Sequence, residues 1–159
     1  MARIVIADAG PLIAFASIDA LWVLQNLFTA ISVAESVKCE CLSKPGKDAQ
    51  RIETAINEAW LLIFPPGDIA EPLSPSLGMG ESDSIRYALE SPEDSLLIVD
   101  DRLARRFALK QGINIIGTAR LLDLAEQRGL IESAEQCISE MAAIGYRISV
   151  ELLKQIRSE

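Results

Sequence analysis

Leu96-Leu97-Ile98-Val99-Asp100-Asp101-Arg102-Leu103-Ala104-Arg105 is the stretch on which the fold turns. An unbroken apolar run over Leu96 to Val99 reads as a strand buried on both faces, the mark of a parallel sheet. Two acids end the run, and a helix is predicted from Arg102 to Gln111, closed by Gly112. Arg3 to Ala7 repeats the pattern: a β-branched run ended by Asp8, with Pro11 suited to the first turn of a helix. Further strands are expected over Ala30 to Val33, Trp60 to Phe64 and Ile113 to Ile116. Helices are expected between them: one starting at Ile18-Asp19 with Asp19 as its N-cap, then Ala34 to Leu42, Asp48 to Ala59, one opening at Gly80-Glu81, and Thr118 to Gln127. Two more, Ser133 to Ala143 and Ser149 to Ile156, close the chain. Ser43-Lys44-Pro45-Gly46 is a turn signal, and Pro65 to Gly80, with four prolines and three glycines, is the long loop. This alternation predicts an α/β fold, a mostly parallel sheet flanked by helices on both faces, in a single domain over residues 1–159.

Composition narrows the chemistry. Half of the 159 residues are hydrophobic, ample for one core, and no apolar run reaches the length of a membrane span. No signal-peptide pattern is visible, so a cytoplasmic protein is expected. Three cysteines, Cys39, Cys41 and Cys137, lack the spacing of a disulfide framework or zinc site and are expected to be ordinary buried or half-buried thiols. There is no histidine. Ser-His-Asp triads, Cys-His dyads and histidine-ligated zinc are therefore excluded within one chain. A net charge of −8 is unfavourable for holding phosphates, unless a divalent cation among carboxylates supplies the positive charge.

Acids stand where such an ion would sit. Asp8 and the Asp100-Asp101 pair each end a strand and begin a helix, so a parallel sheet brings them to one edge, where α/β proteins bind ligands. Each also suits a helix N-cap. Adjacent carboxylates repel, and a cation relieves that repulsion. Glu81 and Asp83 open a helix, where acids are favoured in any case. Glu40 lies among apolar and thiol neighbours, as a rim residue or a ligand. Oxygen-only donors suit Mg²⁺ or Mn²⁺.

Three segments carry a resemblance: Ile4-Val5-Ile6-Ala7-Asp8-Ala9-Gly10-Pro11-Leu12-Ile13, Gly80-Glu81-Ser82-Asp83-Ser84-Ile85, and Leu97 to Arg105. In this order they resemble PIN domains. With Gly112 to Thr118, Leu121-Leu122 and Arg128-Gly129-Leu130-Ile131, they look like the branch related to VapC-type toxins. The resemblance implies catalytic acids at Asp8, Glu40, Glu81 and Asp101, with metal held by Asp8, Glu81, Asp100 and Asp101. Asp100 is the close alternative to Asp101, and Glu35 the neighbour of Glu40 on the same helix. The family often has Thr, Ser or Asn just after the first Asp; here Ala9 and Gly10 stand there. The resemblance further implies an endoribonuclease using Mg²⁺ or Mn²⁺, an RNA substrate, a cognate antitoxin and a homodimer. Water would attack phosphorus to leave 5′-phosphate and 3′-hydroxyl ends. Arg102, Arg105, Arg106 and Lys110 would guide the RNA backbone, or else form an ordinary solvated helix face.

Two other readings share the acids. An aspartate-dependent phosphatase usually needs a second Asp two residues after the first, where Gly10 stands. A phosphoacceptor receiver needs a lysine after a late strand, where Gly117-Thr118 follow Ile116. A non-catalytic interaction module on the same fold is the third possibility.

Overall fold

The computed structural model describes residues 4–159; Arg3, expected to begin the first strand, lies outside them. In chain order the elements are β1 (Ile4–Ala7), α1 (Ala9–Ser17), α2 (Leu21–Phe28), β2 (Ile31–Ala34), α3 (Glu35–Cys41), α4 (Lys47–Asn57) and β3 (Leu61–Phe64). Then come α5 (Met79–Leu89), β4 (Ser95–Ile98), α6 (Arg102–Lys110), β5 (Asn114–Ile116), α7 (Thr118–Gln127), α8 (Ala134–Ala143) and α9 (Val150–Arg157). The five strands form one sheet in the order β3-β2-β1-β4-β5, every described pairing parallel. The predicted α/β architecture is thus the observed one, and the sheet is wholly rather than mostly parallel.

Alternation along the central strands divides the interior in two. Ala7 and Ile98 face a larger core built with α1, α2, α7 and α8 (Leu12, Phe15, Leu24, Leu121, Ile138). Ile6, Leu97 and Val99 face a smaller one built with α5 and α6 (Ile85, Ala88, Ala104, Ala108). The chain runs outward from β1 to β2 and β3, then returns to β4 on the other side of β1. The carboxyl ends of β1 and β4, which are adjacent with Ala7 opposite Ile98, therefore border the crevice at which the winding reverses.

One local expectation is overturned. Asp19 does not cap α2, whose N-cap is Ala20. It instead ends α1: its φ is 57°, its N–H donates to Ala16 O at 3.1 Å, and the Ala20 N–H reaches back to Phe15 O at 2.8 Å. That pair of bonds is a Schellman motif with aspartate in the left-handed position glycine usually takes. Gly112, read as the cap of α6, does occupy this position, with φ at +78°. Of the cysteines, all free, Cys41 is buried and Cys137 half-buried as expected, whereas Cys39 is exposed. Among the described residues no helix is long and apolar enough to cross a membrane.

Candidate functional site

Asp8 is the first residue past β1, and its backbone N–H still donates to Ile98 O at 3.0 Å. Its side chain makes no cap bond to α1 and is 8 % exposed. A buried carboxylate without a counter-ion resists ionisation. Burial first, then the charges of Glu81, Glu40 and Asp101, raise its pKa to about 7 against a lowering by the Ala9 N–H. Among the described residues no Lys or Arg pairs with Asp8, Glu40, Glu81 or Asp101.

Glu81 comes from the first turn of α5. Its Oε1 accepts the Gly78 N–H at 3.1 Å, the returning half of a capping box. Burial and the closeness of Asp101 raise its pKa as well. Glu40, near the end of α3, is exposed on the rim. Gly80 makes room for this meeting of α3, α5 and β1. A Cβ there would stand 3.0 Å from Val37 Cγ2, 3.5 Å from Glu40 Oε1 and 3.8 Å from Asp8 Oδ1. The neighbouring Cys41 thiol is pushed up to about 12 by burial, then by Glu40 and Asp8, so no thiolate competes at neutral pH.

Asp100 and Asp101 are adjacent but differently engaged. Asp101 caps α6, accepting the Ala104 N–H at 2.9 Å, and is otherwise exposed towards Glu81. Asp100 accepts from the Thr118 N–H at 2.8 Å, from the Thr118 hydroxyl at 2.5 Å and from the Tyr146 hydroxyl. Its oxygens are thus turned towards α7 and the segment after α8. Asp83, from the same motif as Glu81, points elsewhere: it accepts from Ser36 Oγ at 2.6 Å and pairs with Arg86, tying α5 to α3.

The basic residues of α6 also divide. Arg102, Arg106 and Lys110 are exposed and four residues apart, so they share one stripe. Arg105 is half-buried and folds back, donating to Val99 O at 2.9 Å beside Gly117.

The structure therefore brings Glu40, Glu81 and Asp101 near Asp8 at the carboxyl end of β1 and β4. Asp100 and Arg105 are held in bonds of the surrounding frame. No three acids or cysteines among the described residues are drawn together closely enough to enclose an ion as they stand. The donor chemistry still fits a hard divalent cation: the groups are all oxygen, and Asp8 is buried beside like charges only. Gly80, Thr118 and Tyr146 were not among the sequence candidates. Only the pairing of Gly80 with an acid on either side in space marks it, and sequence spacing carries no such signal.

A family model described as a PIN domain matches residues 4–159, that is, every described residue. No curated protein matches the chain.

Proposed function

The chain belongs to the PIN-domain family, whose members are generally nucleases, and from that premise we propose that it is a Mg²⁺- or Mn²⁺-dependent endoribonuclease. The observation that carries this reading is Asp8: a buried carboxylate facing Glu81, Glu40 and Asp101, with no cationic partner among the described residues. In this reading Asp8, Glu81 and Asp101 hold the ion, and Glu40 orients water at the rim. Asp100 assists from behind, through the backbone it shares with Asp101. A bound divalent ion would lower the pKa of water and offset charge on the phosphate. The chain's own part is to align water with the scissile bond. A water oxygen bonds to phosphorus, the bond to the 3′ oxygen breaks, and a proton passes to that oxygen. The ends are then 5′-phosphate and 3′-hydroxyl.

The exposed stripe of Arg102, Arg106 and Lys110 supports a nucleic-acid substrate, because it offers phosphate contacts on an otherwise acidic protein. We extend the reading to one cytoplasmic domain over residues 1–159, acting as a homodimer and as the toxin of a toxin–antitoxin pair. The antitoxin would lay a basic side chain among the acids. Incubation of pure protein with single-stranded RNA and Mn²⁺ tests the core of this. Cleavage is expected, abolished by EDTA and reduced at least a hundredfold in Asp8→Asn. Mn²⁺ binding by calorimetry should also be lost in the double variant Asp8→Asn, Asp101→Asn. Equal binding by wild type and double variant would remove the site, and intact RNA at saturating Mn²⁺ would remove the nuclease.

A further inference from the structure

Tyr146 lies far from the site in sequence, yet its hydroxyl arrives over α1. Its approach is fixed locally. α8 ends in a Schellman motif in which Gly145, at φ +98°, donates to Ala142 O at 3.0 Å and the Tyr146 N–H returns to Met141 O at 2.9 Å. The reversal directs the phenol inward, where it is half-buried. There it covers Gly10, the second residue of α1. A Cβ on Gly10 would stand 3.0 Å from the Tyr146 hydroxyl and 3.4 Å from Cε1. The ring thus fills the space that a side chain at position 10 would use. The hydroxyl donates to Asp100 Oδ2, the oxygen that also takes the Thr118 hydroxyl.

Three donors on one carboxylate leave Asp100 a single orientation, and Asp101 continues from the same backbone into the cluster. We propose that Tyr146 is a positioning residue of the acidic site: its hydroxyl, carried over Gly10 by the α8–α9 turn, aims Asp100 and thereby sets the strand end from which Asp101 projects. Position 10 and position 146 are then two routes to one place, and a hydroxyl from either serves. The inference rests on the metal-site reading above.

The test compares wild type, Tyr146→Phe, Tyr146→Ala, and the double variant Gly10→Ser, Tyr146→Ala. Each is measured for Mn²⁺ affinity by calorimetry, for melting temperature, and for kcat and KM on single-stranded RNA. Tyr146→Phe keeps the ring and should weaken Mn²⁺ binding about fivefold to tenfold. It should lower kcat about tenfold, with KM within about twofold. Adding Gly10→Ser to Tyr146→Ala, where no ring fills the space beside position 10, brings Oγ within reach of the vacated hydroxyl position and should restore Mn²⁺ affinity to within about threefold of wild type. A Tyr146→Phe protein with wild-type Mn²⁺ affinity and only a lower melting temperature would overturn the inference. So would a folded double variant with no recovery. These results differ from a failure of the nuclease reading, in which wild type itself leaves RNA intact while the calorimetric comparison still decides the role of Tyr146.

Discussion

Asp8 concentrates the chemistry of the molecule in one side chain. Its pKa in the folded protein, about 7, lies above the ordinary 3.8, so the folded state binds its proton more tightly than the unfolded chain does. The stabilising effect of that proton is complete below about pH 3.8 and is lost as pH rises through 7. The melting temperature of EDTA-treated wild type should therefore fall more steeply between pH 5 and 8 than that of Asp8→Asn. Millimolar Mg²⁺ or Mn²⁺ should flatten the wild-type curve, because the ion binds the ionised form. Parallel curves for the two proteins in EDTA would show that Asp8 ionises freely. Gly80 separates stability from site formation. Alanine gains roughly 1 kcal/mol in helix propensity, and the 3.0 Å approach to Val37 Cγ2 opposes that gain. The melting temperature of Gly80→Ala should stay within about 4 °C of wild type. Its methyl group, set between Glu40 and Asp8, should nevertheless weaken Mn²⁺ binding. Unchanged affinity in calorimetry would show that the ion does not use the space between α3 and α5.

At the scale of elements, α6 does two jobs on two faces. Ala104 and Ala108 pack into the smaller core, while Arg102, Arg106 and Lys110 face outward. Replacing these three cations by Gln should leave folding intact and reduce the salt dependence of RNA binding. Each lost phosphate contact on a single strand removes about 0.7 from the log–log slope, so a change of about 2 is expected. Fluorescence anisotropy over a KCl series, in an Asp8→Asn background that leaves RNA uncut, measures it; an unchanged slope would return the stripe to an ordinary solvated face. The existence of α6, and of the strands before it, was legible because apolar runs and the acids that end them are local signals. The meeting of Asp8 with Asp101 was legible too, since a parallel sheet brings strand ends together. Asp19 was misread because an acid before an apolar run looks like an N-cap, whereas the end of the preceding helix claimed it. The different fates of Asp100 and Asp101 were not legible, because donors from Thr118 and Tyr146 decide them and both lie on later elements. The fold-back of Arg105 escaped for a different reason: its partner, the Val99 carbonyl, is a backbone atom that any sequence supplies.

The whole molecule must reconcile an acidic surface with apolar residues left outside its two cores. In α2, Leu21, Val23 and Leu24 are buried, so most of its apolar stripe is absorbed internally. Trp22 is not: it is 45 % exposed and borders a cleft of about 380 Å³ between α2 and α4, which Trp60 also lines. On α9 only Leu153 is fully buried. Arg157 pins that helix through Asp123, Glu126 and Glu135, while Val150 and Leu152 face outward. An apolar patch at either place would be covered by self-association, and two-fold pairing is its commonest form. Sedimentation at micromolar concentration should therefore give twice the 17.3 kDa chain mass. Trp22→Glu, exposed and outside both cores, should shift the population to monomer with little change in melting temperature at low concentration. If Leu152→Glu does so instead, the contact lies on α9 rather than α2. A wild-type protein that sediments at the chain mass would show that the acidic site functions, if at all, within one chain, and that Trp22 is free to serve another partner.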